Sequence, residues 1–124
     1  MTDGLKPRKR PKTLIGATHR IKTGCGNLYV TLTRDDQGLF EVFSALGKSG
    51  QCGMAQLEAI CRCVSIGLRS GVDPTIFSKQ LKGIRCPAPI TSEGVDVLSC
   101  ADAIATVLEE EVRSEVASNT TKKS

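Results

Sequence analysis

The chain has no tryptophan, one histidine, one tyrosine and three phenylalanines in 124 residues. Aromatics make up 3% of it, against 40% hydrophobic residues overall. Aromatic side chains bury the most area each, so the core must be aliphatic, and a cross-link or a bound metal would strengthen it. The lone histidine, His19, falls in an expected strand and offers no His-dependent triad or acid–base pair. No apolar run approaches the length that spans a bilayer. The stretch Thr13-Leu14-Ile15-Gly16-Ala17-Thr18-His19-Arg20 is too short and too polar to be the apolar region of a signal peptide. There is no internal repeat. These absences lead to the expectation of a cytoplasmic protein without membrane contact.

What is present is unevenly placed. Lys6, Arg8, Lys9, Arg10 and Lys12, set against Asp3, account for the whole net charge of +4. The rest of the chain carries 12 basic and 12 acidic residues and is formally neutral. Two prolines among like charges oppose both helix and strand in that segment, so residues 1–13 are expected to be a flexible basic tail.

Beyond it, Ile15 to Lys22 is rich in threonine and β-branched residues and suits an extended segment. Leu28, Val30 and Leu32 alternate with Tyr29, Thr31 and Thr33, the period of a half-buried strand. A polar turn ending at Gly38 returns the chain through Leu39 to Leu46, which makes a hairpin. Ser49 is placed to cap a long helix to about Arg69, with Gly71 just past its end. Met54, Leu57, Cys61, Val64 and Leu68 form its apolar stripe, and Glu58, Arg62, Ser65 and Arg69 its polar strip. Asp73-Pro74 opens a short helix, with Ile76, Phe77 and Leu81 facing inward and Gly83 as its stop. Residues 84–97 read as a loop. Ser99-Cys100-Ala101-Asp102 is a capping box for a last helix that buries Ile104, Val107 and Leu108 and frays from about Ser114. Strands followed by helices imply an α+β fold: a small antiparallel β-sheet, a hairpin plus one strand, packed on about three helices.

Six cysteines in a reducing compartment read as ligands or free thiols, not disulfides. Four of them sit beside glycine, proline or a helix start: Cys25, Cys52, Cys86 and Cys100. Zinc favours four tetrahedral ligands, and four thiolates form a closed structural shell. The separations of 27, 34 and 14 residues carry no short-range signature, however, and buried free cysteines remain the plain alternative. Cys52 and Cys100 fall in first turns of helices, where thiol pKa values drop. Cys61 and Cys63 point about 200° apart on one helix and cannot share an ion, so both are assigned to packing. Glu109-Glu110-Glu111 reads as a solvated face. Gly24-Cys25-Gly26 is no phosphate loop, since no helix follows it.

The string Arg20-Ile21-Lys22-Thr23-Gly24-Cys25-Gly26-Asn27-Leu28-Tyr29-Val30-Thr31 resembles the TSCPD domain, found near the C-terminus of adenosylcobalamin-dependent (class II) ribonucleotide reductases. Further matches are Glu41-Val42-Phe43, Leu46-Gly47-Lys48-Ser49-Gly50, Gln56-Leu57-Glu58-Ala59, Leu68-Arg69-Ser70-Gly71 and Gln80-Leu81-Lys82-Gly83-Ile84-Arg85-Cys86-Pro87. The motif that names the family falls at Leu98-Ser99-Cys100-Ala101-Asp102, with Leu for Thr and Ala for Pro. The resemblance implies a TSCPD-like domain over residues 14–112, flanked by tails at 1–13 and 113–124. It also implies a metal site of Cys25, Cys52, Cys86 and Cys100, holding zinc, with an iron–sulfur cluster as second choice.

The large barrel that holds the reductases' radical, nucleotide and cobalamin sites has no counterpart here, nor does their mobile C-terminal cysteine pair. The expectation is a stand-alone accessory domain that supports deoxyribonucleotide synthesis by binding the large catalytic chain of a class II ribonucleotide reductase. Adenosylcobalamin would enter only through that partner. One alternative is a thiol redox relay using Cys52 and Cys100. Another is nucleic-acid binding through residues 6–12, against which stand the neutral domain and the lack of an aromatic stacking platform.

Overall fold

The computed structural model describes residues 5–47 and 51–123, without the side chains of Gln51, Cys52 and residues 117–123. Leu28, Val30 and Leu32 set the frame. Their alternation with polar residues makes the central strand β2 (Gly26–Asp35), between β1 (Ile15–Thr23) and β3 (Gly38–Leu46) in one antiparallel sheet ordered β1-β2-β3. Gly24-Cys25 turns β1 into β2 directly, with Thr23 opposite Gly26. Gly26 and Gly38, at φ +125° and +124°, start the strands that follow the two tight turns, where a side chain would be strained. The β2–β3 register shifts between Thr33 and Arg34, and Phe40 is fully buried beside this bulge.

Helix α1 (Gln51–Arg69) packs Leu57, Cys61, Val64 and Leu68 on β3. The expected cap Ser49 lies outside the described residues. At the other end, Gly71 at φ +90° lets Val72 N–H donate to the Gly67 carbonyl at 3.0 Å, a glycine-terminated stop. Helix α2 (Pro74–Leu81) is capped by Asp73, which accepts from Thr75 N–H at 2.9 Å, and it packs on α3 (Cys100–Lys123). Ile104, Val107 and Leu108 of α3 are buried as expected. The fold is α+β: among the described residues, three helices and a three-stranded antiparallel sheet, with a small second hairpin.

Several expectations are corrected. The segment read as a loop over 84–97 contains β4 (Ile90–Ser92) paired with β5 (Val95–Val97), turned at Glu93 and Gly94, both at positive φ. Ser65 is buried, not part of a polar strip. Its hydroxyl donates to the Val42 carbonyl (3.1 Å) and accepts from Val42 N–H (3.0 Å), satisfying the edge of β3 that no strand covers. Met54 and Ile76, expected inside, are about half exposed. α3 is helical to Lys123, past the expected fraying point at Ser114. Glu111, read as solvated, is buried: it accepts from His19 Nε2 at 2.6 Å and pairs with Arg34, which also holds Glu115. These contacts strap α3 across β1 and β2.

Two arginines of the basic N-terminal segment bind the domain. Arg8 pairs with Asp35 at 2.7 Å, and its guanidinium also donates to the Leu68 and Arg69 carbonyls at the end of α1. Arg8 and Arg69 both lie on the Phe40 ring, at 5.3 and 5.1 Å from its centre. Arg10 pairs with Glu41.

Candidate metal centre

Three pieces of chain come together near the β1–β2 turn, and local chemistry fixes each. Thr23, buried at the end of β1, shapes the turn: its hydroxyl donates to the Gly26 carbonyl at 2.8 Å and accepts from Cys25 N–H at 3.1 Å. Gly24 has no room for a side chain, because a Cβ there would run into the Ala88 carbonyl. That close approach brings the Cys25 turn against the Cys86-Pro87-Ala88 loop.

The loop is pinned in turn. Cys86 N–H donates to the Leu98 carbonyl at 3.0 Å, and Ala88 N–H points at Cys86 Sγ at 3.4 Å. Asp102 ties the loop to α3: one carboxylate oxygen accepts from Gly83 N–H at 2.9 Å and the other from Leu98 N–H at 3.1 Å. Ser99 Oγ accepts from Asp102 N–H at 3.0 Å, half of the capping box expected there. The Asp102 carboxylate serves the neighbouring Leu98 and the distant Gly83 in place of the cap residue's own amide.

Cys100, first residue of α3, is half-buried with its sulfur 3.7 Å from Thr23 Oγ1. Burial pushes its pKa up, the Thr23 hydroxyl pulls it partly back, and the neighbouring thiols of Cys25 and Cys86 add to the rise. The expectation of a readily ionised thiol at this helix start is corrected for Cys100, whose pKa is raised chiefly by desolvation. Cys25, Cys86 and Cys100, three of the four proposed ligands, thus share one corner of the fold.

The Cys52 side chain lies outside the described residues, but the backbone brings its helix to the same end of the sheet. Gly47, five residues before Cys52, donates its N–H to the Asn27 carbonyl, two residues after Cys25. Among the described residues, which leave Cys52 out, no three His, Cys, Asp or Glu side chains stand at ligating distance. In kind, the residues fit a thiophilic ion: three thiols gather there, and a backbone amide is aimed at one sulfur, as around metal-bound thiolates. Cys61 is buried with its thiol 3.3 Å from Ser44 Oγ and its pKa raised by burial, the packing role expected of it. Cys63 is exposed, contrary to expectation. Sequence reasoning passed over Thr23 as a positioning residue; its place two residues before Cys25, at a strand end, was the available signal.

A family model for the TSCPD domain matches residues 4–112. The chain belongs to the TSCPD domain family. The match takes in all the strands, α1, α2, the start of α3 and all four proposed ligands, and it links the chain to ribonucleotide reductases. No curated protein and no solved structure matches the chain. Among the described residues of this TSCPD domain, no helix is long and apolar enough to cross a membrane.

Proposed function

We propose that this TSCPD domain is an accessory module of an adenosylcobalamin-dependent ribonucleotide reductase, built around a structural zinc site. In this reading Cys25, Cys52, Cys86 and Cys100 hold the ion. It would cross-link the β1–β2 turn, the start of α1, the loop before β4 and the start of α3. Zinc bound by four thiolates has no open position for substrate, so the ion would supply folding energy and no reaction step. The observation that carries the reading is that Thr23 touches both Cys25 N–H and Cys100 Sγ while Gly24 abuts Ala88 in the Cys86 loop, in a domain whose core holds a single large aromatic, Phe40. Catalysis, cobalamin and the nucleotide would belong to the large reductase chain, which the domain would bind in the cytoplasm.

Elemental analysis on protein purified without added metal tests the metal. The expected result is about one zinc per chain, lost in Cys100→Ser and retained in Cys63→Ser, whose thiol is exposed and outside the corner. An iron-containing, coloured protein would replace zinc by a cluster. Co-purification with the large chain of a class II reductase tests the partner; its failure with metal-loaded protein would remove the accessory role and leave the zinc.

The shared corner of Cys25 and Cys100, with Thr23 between them, favours one second reading, a reversible disulfide in a thiol relay. The raised pKa of Cys100 opposes it, since the thiolate is the attacking species. A metal-free, folded protein with fast-reacting thiols at neutral pH would establish the relay in place of the metal.

A further inference from the structure

The sheet has one covered face and one open face. Cross-strand partners point to the same side, so Leu28, Val30, Leu32, Val42 and Leu46 face the helices. The alternate residues face away. There Arg20, Tyr29 and Ala45 form one row across the three strands, and Thr18, Thr31 and Phe43 the next. Tyr29 and Phe43 are 40% and 45% exposed, so two of the chain's four aromatic side chains stand on the solvent side. They are diagonal neighbours on adjacent strands, a relation that leaves roughly 7–8 Å between backbones and lets the two rings form one surface.

The charges on this face that lack an ion-pair partner among the described residues are positive. Arg20 and Lys22 are exposed, and among the described residues neither is in an ion pair. Two carboxylates of the same face, Asp35 and Glu41, are already neutralised by Arg8 and Arg10. Those pairs also anchor the basic N-terminal segment beside the Phe43 end, with Lys9 and Lys12 exposed. Glu93 and Glu110 line the groove along the β1 edge with Arg20 and Lys22, but neither is at ion-pair distance from them. A second copy of the chain would set cations against cations here. A polyanion with flat, stackable groups meets both features.

We infer that the open face of the β1-β2-β3 sheet binds single-stranded nucleic acid, with bases stacked on Tyr29 and Phe43 and phosphates held by Arg20, Lys22 and the anchored basic segment. Stacking on exposed aromatics is tolerant of sequence because every base has a π-face, and cations alongside track the backbone. The inference is independent of the cysteine corner and would stand if that reading fell.

Fluorescence anisotropy with labelled oligo(dT) and oligo(rU) of about 15 nucleotides, at about 50 mM salt, tests it, with a duplex of equal length as comparator. Expected is tighter binding of the single strands than of the duplex. Tyr29→Ala and Phe43→Ala should each weaken it about 10-fold or more, and Tyr29→Phe should retain it. Replacing Arg20 and Lys22 together by Gln should make the slope of log K against log salt shallower by about 1.4. Unchanged melting curves would show that the exposed substitutions leave the fold intact. Binding of one sugar type alone would support the site and assign it to DNA or RNA. Equal affinity for duplex and single strand with Tyr29→Ala silent would reduce the effect to bare tail charge and overturn the inference. So would absence of binding, or a dimer in sedimentation that Tyr29→Ala disperses.

Discussion

Asp102 holds two pieces of chain with one carboxylate, and that role sets what can replace it. Each oxygen accepts a backbone N–H, from Gly83 and from Leu98, and the residue is 5% exposed. Asp102→Ala would leave two buried donors without partners, at a cost of about 1–3 kcal/mol. Asp102→Asn is expected to do little better, because its NH2 would face an N–H donor. Denaturant melts of the three proteins check this; full rescue by Asn would show that one accepted hydrogen bond is enough. The Ser-x-x-Asp spacing at Ser99 is legible as a cap in the sequence. The contact with Gly83, 19 residues away, is not, since no local pattern encodes which distant amide a carboxylate will meet.

At the scale of elements, α3 is strapped to the sheet by charge as well as by Ile104 and Leu108. Burial pushes the Glu111 carboxyl up, but hydrogen bonds and charge from His19 and Arg34 outweigh it, and its pKa falls below the ordinary 4.5. A carboxyl depressed on folding stabilises above its unfolded pKa, and that stability is lost as pH falls through the folded value. The wild type should therefore lose stability on acidification below about pH 4.5 more steeply than Glu111→Gln, which should already be weaker by about 1–3 kcal/mol at pH 7. Melting temperatures between pH 7 and pH 3 decide it; parallel curves would remove Glu111 as a source of the acid limb. Helix α1 meets α2 in another way. Gly67 leaves space for the Phe77 ring, which a Cβ would strike, so Gly67→Ala should destabilise by about 1–3 kcal/mol despite better helix propensity. A gain in melting temperature would show that Phe77 moves aside freely. Neither strap could be read from residue type: Glu111 sits in a run of three acids that looks solvated, and glycine inside a helix shows only that something comes close.

Over the whole molecule, the basic segment closes the structure at the β2–β3 turn end of the sheet. Arg8 joins the β2–β3 turn, through Asp35, to the last carbonyls of α1, and shares the Phe40 ring with Arg69. Arg8→Ala should cost about 1–2 kcal/mol, and Arg8→Lys should not recover it. A lysine ammonium cannot lie flat on the ring while forking to Asp35 and two carbonyls. Recovery by lysine in thermal melts would reduce Arg8 to a simple positive charge. At the opposite corner, chelation of the proposed zinc should lower the melting temperature. A loss of only about 2–3 kcal/mol corresponds to roughly 8–12 °C in a domain of this size, readable by calorimetry before and after metal is restored. No shift in metal-loaded protein would end the structural role of the site.

The amino-acid sequence alone determined the elements that repeat on a short period or end on a special residue. Alternation gave β2, the i, i+3, i+4 stripe gave α1, and Asp73-Pro74 and Ser99 marked two helix starts, because these signals act within one turn or one pleat. It also carried the family, through strings around Cys25, Cys86 and Cys100. Only the tertiary structure decided which polar residues go inside, and Ser65, Thr23 and Glu111 did so because a strand edge, a turn and an arginine from elsewhere supplied their partners. It alone decided that Cys25, Cys86 and Cys100 come to one corner of the fold, since chain separations of tens of residues leave closure to packing. It also left Tyr29 and Phe43 uncovered: strand alternation puts them on one face, but whether a helix lies over that face is settled by which side the whole set of helices packs against.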